Sequence, residues 1–67
     1  MPYVQINLTK GRSEDQIERL INEVTKTVSE VADAPTTAIQ VVVNEIELTH
    51  WGLAGDSVKK RRENANK

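Results

Sequence analysis

From Glu14 to Asp33 the chain sets Ile17, Leu20, Ile21, Val24, Val28 and Val31 at intervals of three and four, one continuous apolar stripe. Only an amphipathic helix puts all six on one face. Both of its ends are written in the sequence. Ser13 is followed three residues later by Gln16, a capping box in which each side chain satisfies an amide of the other residue. Glu14 and Asp15 place negative charge where the helix dipole is positive. At the far end stands Asp33-Ala34-Pro35, and a proline disfavours helical geometry in the residue before it and cannot donate the next ladder bond. In a chain of 67 residues this one element leaves only short flanks, and they must fold against it.

Those flanks read as strands. Residues 3 to 8 alternate, with Val4, Ile6 and Leu8 on one side and Tyr3, Gln5 and Asn7 on the other, the period of a half-buried strand. Lys10-Gly11-Arg12 breaks it. Ile39 to Ile46 is rich in β-branched residues and apolar on both sides at its centre, as expected of a strand covered on two faces. The intervening segment is long enough for a right-handed crossover, so the strands are expected to be parallel. Residues 47 to 58, where Gly52 and Gly55 flank Leu53-Ala54, read as a turn or short hairpin. The expected fold class is therefore α+β: a βαβ unit with parallel strands, one long helix and a short C-terminal hairpin or turn. One helix covers one face of a two-stranded sheet and leaves the other face and both edges open, which invites another subunit. The chain has no cysteine and is 37% hydrophobic with no Phe, so disulfide staples are absent and oligomerisation is the remaining support for so thin a core.

The charge is uneven. Residues 1–58 hold four Lys or Arg against nine Asp or Glu, and residues 59–67 hold five against one. The expected organisation is one domain over 1–58 and a basic, flexible tail over 59–67. No aromatic interleaves Lys59-Lys60-Arg61-Arg62 and the acidic body repels phosphates, so nucleic acid is not an expected partner. The longest apolar run, Val41 to Val43, is far too short for a membrane span, and the first residues lack the parts of a signal peptide. The expected location is the cytoplasm, with no membrane partner.

Ordinary side-chain chemistry finds little support. One histidine, His50, cannot build a multi-histidine metal site, and neither a Gly-rich phosphate loop nor a G-x-S-x-G elbow occurs. No metal and no cofactor are expected. Attention falls on Pro2, because removal of Met1 would expose a secondary amine. An α-amino group has a reference pKa of ~8, and burial or a nearby cation lowers it, leaving a neutral base near pH 7. Proline is also an ordinary second residue. Arg12, at the break after the first strand, can bind a carboxylate by two parallel bonds or cap a neighbouring acid. Trp51, the one Trp in the chain, can anchor a loop or line an apolar pocket. Gln40 is a plain polar strand residue unless its amide meets a ligand oxygen.

Taken together, Met1-Pro2, Leu8-x-x-Gly11-Arg12-Ser13-x-x-Gln16, Asp33-Ala34-Pro35, Glu45-Ile46 and His50-Trp51-Gly52-Leu53-Ala54-Gly55 resemble the tautomerase superfamily, specifically its short 4-oxalocrotonate tautomerase-like members. The resemblance covers most of the chain. It implies a cofactor-independent isomerase of the kind used in breaking down aromatic compounds. In such an enzyme the amine of Pro2 is general acid and base for a keto-enol proton shift on a small unsaturated 2-hydroxy or 2-oxo acid. It also implies that Arg12 binds the substrate carboxylate, that Trp51, Leu8 and Gln40 line the substrate site, and that the protein is a homohexamer with sites at subunit contacts. One position departs from the pattern. Where members that convert dicarboxylates carry a second arginine, this chain has Gln40, so a monoacid substrate or modest activity on diacids is expected. The alternative is a non-catalytic, oligomeric ligand-binding module of the same fold. Addition of water to an unsaturated acid would need a further carboxylate, and neither Glu47 nor Asp56 is well placed to supply it.

Overall fold

The computed structural model describes residues 1–65. Two seven-residue strands, β1 (Tyr3–Thr9) and β2 (Gln40–Ile46), pair in parallel with Tyr3 opposite Gln40 and Thr9 opposite Ile46. Parallel strands cannot be joined by a tight turn. The link is α1 (Glu14–Ala32), followed by a short 3-10 turn at Thr36–Ala38. The capping box forms as the sequence indicates: the Gln16 amide donates to Ser13 Oγ at 3.2 Å and the Ser13 amide to Gln16 Oε1 at 2.9 Å. At the other end Asp33 turns left-handed with φ 54, its amide and that of Ala34 both donate to the Ser29 carbonyl, and Pro35 follows. An Asp tolerates that conformation better than most residues.

Val4, Ile6 and Leu8 of β1 and Val41 and Val43 of β2 point to the side that α1 covers, and all five are half-buried. The opposite face is bare: Tyr3 is 57% exposed and Val42 39%. Asn44 Nδ2 donates to Asn7 Oδ1 at 3.1 Å across this face. Two sequence expectations therefore change within a single copy. Val31, expected as the last member of the helical stripe, is 82% exposed. The centre of β2, expected to be covered on two faces, is covered on one.

No described residue is fully buried, and the accessible surface is 5225 Å², against about 4,200 Å² for a compact monomer of this mass. The radius of gyration is 15.5 Å, where about 11 Å is usual for 67 residues. The open sheet face and an arm formed by the C-terminal elements make the chain extended.

That arm begins with a 3-10 turn at Leu48–His50 and continues as an antiparallel hairpin of β3 (Gly52–Leu53) and β4 (Asp56–Ser57). Its two central residues, Ala54 (φ 56) and Gly55 (φ 90), both have positive φ, as two-residue hairpin turns require. Glycine fits there; Ala54 carries steric strain. Residues 59–65, expected as part of a flexible tail, are instead helical: α2 spans Val58–Ala65. Its N-terminus is held by the Val58 amide on the Trp51 carbonyl (2.8 Å) and the Lys60 amide on Ser57 Oγ (3.1 Å). Lys, Arg, Glu and Ala are good helix formers, and two i,i+4 ion pairs, Lys60–Asp56 and Lys59–Glu63, brace the coil. The last two residues of the expected tail lie outside the described residues.

Leu20→Ala should lower the unfolding free energy by about 2 kcal/mol, the low end of the range for core leucines because Leu20 is half-buried, read from a denaturant titration. Ala54→Gly should act the other way, raising stability by about 1 kcal/mol through relief of the positive φ.

Candidate active site

Pro2 is fixed as an extra rung of the parallel ladder, its carbonyl accepting the Gln40 amide at 3.0 Å. The half-buried proline and the exposed Gln40 therefore sit side by side at the leading end of the sheet, with Tyr3 paired to Gln40. Met1 acylates the Pro2 nitrogen, making it an amide without basicity. Met1 is 92% exposed, so a peptidase can reach it.

Arg12 lies at the other end of β1. Gly11, at φ 139, turns the chain out of the strand, and Arg12 folds back so that Nη1 donates to the Thr9 carbonyl at 2.8 Å. This bond uses one guanidinium donor of five and leaves the rest facing solvent. Leu8 is half-buried on the helix-facing side of β1, near that end. Trp51, half-buried, follows the end of β2, and its carbonyl holds the start of α2. Seven strand residues separate Pro2 from the turn that bears Arg12, a run of ~23 Å at 3.3 Å per residue. One copy thus joins Pro2 to Gln40 and does not bring either to Arg12. A site containing both ends needs two copies.

An ion pair that the sequence reading did not anticipate closes the far end. Lys10 Nζ bonds Glu47 Oε1, each residue standing one position beyond the final strand pair Thr9–Ile46. The Lys10 amide also donates to the Ile46 carbonyl at 2.9 Å. The Glu47 hydrogen bond, then its charge, push the Lys10 pKa up; the Lys10 hydrogen bond and charge hold the Glu47 carboxyl down. Once the register is known the pair follows from the sequence, but the register cannot be read from either strand alone. Glu47 is engaged by Lys10 and Asp56 by Lys60, so neither carboxylate considered for activating water stands free. Among the described residues no group of three or more His, Cys, Asp or Glu is placed to hold a metal ion, and no helix is long and apolar enough to cross a membrane.

Comparison with known proteins is consistent over most of the chain. The family described as tautomerase enzyme matches residues 2–61. A 2-hydroxymuconate tautomerase of Stutzerimonas stutzeri is 42% identical over 59 residues, covering 88% of this chain and 94% of that one. Among solved structures, TomN, a 4-oxalocrotonate tautomerase homologue in the tomaymycin biosynthetic pathway, superposes with TM-score 0.91 at 31% identity, covering 92% of this chain and 95% of its own. A heterohexamer 4-oxalocrotonate tautomerase from Chloroflexus aurantiacus J-10-fl superposes with TM-score 0.86 at 25% identity, covering 90% and 97%.

The Lys10–Glu47 pair makes a pH prediction. A raised lysine pKa contributes stability below the ordinary lysine value and loses it as pH rises through the folded value. A lowered carboxyl pKa contributes above the ordinary carboxylate value and loses it as pH falls. Melting curves of Glu47→Gln and of the parent chain should differ most between roughly pH 6 and 9 and converge towards both extremes. The gap should stay small and shrink in salt, since both groups are exposed.

Proposed function

The chain belongs to the tautomerase family, and on that premise we propose that it isomerises a small unsaturated 2-hydroxy or 2-oxo acid, with the Pro2 amine as general acid and base after Met1 is removed. The observation that carries this is the Pro2–Gln40 rung. It fixes the second residue, where the family match begins, at a sheet end against the backbone of Gln40.

The chemistry needs one group that takes a proton and gives it back. A neutral secondary amine removes the 2-hydroxyl proton, the freed electron pair forms the carbonyl, and the conjugated double bonds shift by one place. The resulting ammonium then delivers a proton to the far carbon, so atoms and charge balance without an oxidant or a cofactor. Two features hold the amine neutral: removal from water, which disfavours the charged form, and an arginine nearby. Arg12 of a neighbouring copy supplies that cation and binds the substrate carboxylate. Leu8 and Trp51 form the apolar wall that excludes water and strengthens the guanidinium's interaction. The Gln40 amide, next to Pro2, donates to the developing carbonyl oxygen. The bare sheet face and the separation of Pro2 from Arg12 favour a homo-oligomer, and the hexamer is the assembly we assign. The site of action is the cytoplasm.

A second reading, a binding module without turnover, draws on the Pro2 amide that persists while Met1 is attached. Intact mass and ultraviolet kinetics on the same sample, with 2-hydroxymuconate and enol-phenylpyruvate, decide between them. Loss of Met1 with turnover of either compound supports the enzyme; loss of Met1 with neither supports the module. Pro2→Ala should reduce kcat/KM by about 10²- to 10⁴-fold, and an unchanged rate would overturn the mechanism. Arg12→Gln should lower kcat/KM by about 10- to 100-fold through loss of a charge-assisted contact. Oligomers refolded from a mixture of these two variants should regain activity, because some sites then pair an intact Pro2 with an intact Arg12. Mixtures no more active than the separate variants would place both residues on one copy.

A further inference from the structure

Two chain segments leave the sheet at the end closed by Lys10 and Glu47, and each carries a group assigned to the substrate site, Arg12 on one and Trp51 on the other. Packing does not fix the first exit, since open space surrounds Gly11 where a Cβ would stand. Hydrogen bonds hold it instead. The Thr9–Lys10 peptide group is engaged on both sides: its carbonyl accepts Arg12 Nη1 at 2.8 Å and its N–H donates to the Ile46 carbonyl at 2.9 Å. Bonds in series through one peptide polarise and strengthen each other. Beyond them Lys10 Nζ bonds Glu47 Oε1, and the Glu47 carbonyl accepts the His50 amide at 2.9 Å across the turn that delivers Trp51. A continuous path therefore runs from the Arg12 guanidinium through Lys10 and Glu47 to the residue before Trp51.

We infer that Lys10 and Glu47 are positioning residues, whose clasp holds Arg12 and Trp51 in one relative placement so that a carboxylate bound by the guanidinium meets the indole wall. The inference rests on the function proposed above, in which these two side chains receive the substrate. In this role neither Lys10 nor Glu47 touches the reacting atoms. Pro2 stands at the opposite end of its own sheet, held to the Gln40 backbone, so opening the clasp weakens substrate binding and leaves the proton transfer alone.

The test is a double-variant cycle on the full chain, read in steady-state kinetics and in acrylamide quenching of Trp51, the one Trp present. Lys10→Met and Glu47→Gln should each raise KM about two- to fivefold, the reach of an exposed ion pair, with kcat within about twofold of the parent. The double variant should be no worse than either single one, because the first substitution already opens the clasp. Lys10→Arg should keep the parent KM, since a guanidinium also bonds a carboxylate. Quenching of Trp51 should rise equally in the two single variants and the double one, and stay at the parent level in Lys10→Arg. Oligomer mass checks that assembly persists. The inference is overturned if the single variants match the parent in KM and quenching, or if their effects multiply in the double variant. It is also overturned if Lys10→Met alone weakens binding, which would put the ammonium on the substrate itself. The fluorescence needs no substrate. An absence of turnover in every variant, parent included, would sink the proposed function, and the quenching cycle would still uphold or refute the clasp.

Discussion

The parallel pairing of β1 with β2 governs the rest of this molecule. Parallel strands demand a long return path, and the chain spends α1 on it. The helix then covers one face of the sheet and nothing within the chain covers the other. In-register pairing also brings the first residues of both strands together, which seats Pro2 against Gln40, and brings their last residues together, which sets Lys10 against Glu47. Both ends of the sheet are thus chemically distinct: an uncharged end where Pro2 is held to the Gln40 backbone, and a charged end from which Arg12 and the C-terminal arm depart. The distance between them is a property of strand length, and no side-chain rearrangement within one copy closes it.

Much of the fold was legible in the residues because its signals are local. The Ser13–Gln16 box and the Asp33-Ala34-Pro35 stop each act within a few positions, so their outcome does not wait on distant packing. The alternation through Val4, Ile6 and Leu8 likewise reports one face of one strand. What could not be read was non-local or masked by composition. Val42 reads as buried because β-branched neighbours surround it on both sides, yet nothing within a single copy covers its face. The run Lys59-Lys60-Arg61-Arg62 reads as a solvated tail when charges are counted, yet Asp56 and Glu63 stand four residues from Lys60 and Lys59, the spacing that stabilises a helix. Attention to spacing would have found α2. The candidate site divides in the same way: Pro2, Arg12, Leu8, Gln40 and Trp51 were picked out by resemblance, while their distribution over two ends of the sheet emerges only with the register.

The electrostatics follow from this layout. Exposed pairs such as Lys10–Glu47 contribute through geometry more than energy, holding the strand ends in line at a place where water screens the charges. The arginines differ in kind from these lysines. Arg12 keeps most of its donors in solvent after its bond to Thr9, and Arg61 and Arg62 lack carboxylate partners among the described residues. Among the described residues the lysines thus pair with the chain's own acids while Arg12, Arg61 and Arg62 do not, an allocation that suits a protein handling organic anions.

The absence of any fully buried residue among the described residues of one copy reaches beyond geometry. When apolar surface is removed from water chiefly by association, folding becomes a reaction of higher than first order, and its equilibrium shifts by mass action. The folded fraction then depends on how many copies a cell holds. For a chain that folds only on association, solitary copies stay unfolded below some threshold of abundance, and above it order sets in together with assembly. Dosage itself becomes a determinant of structure, and a modest fall in expression removes folded protein out of proportion to the chains lost.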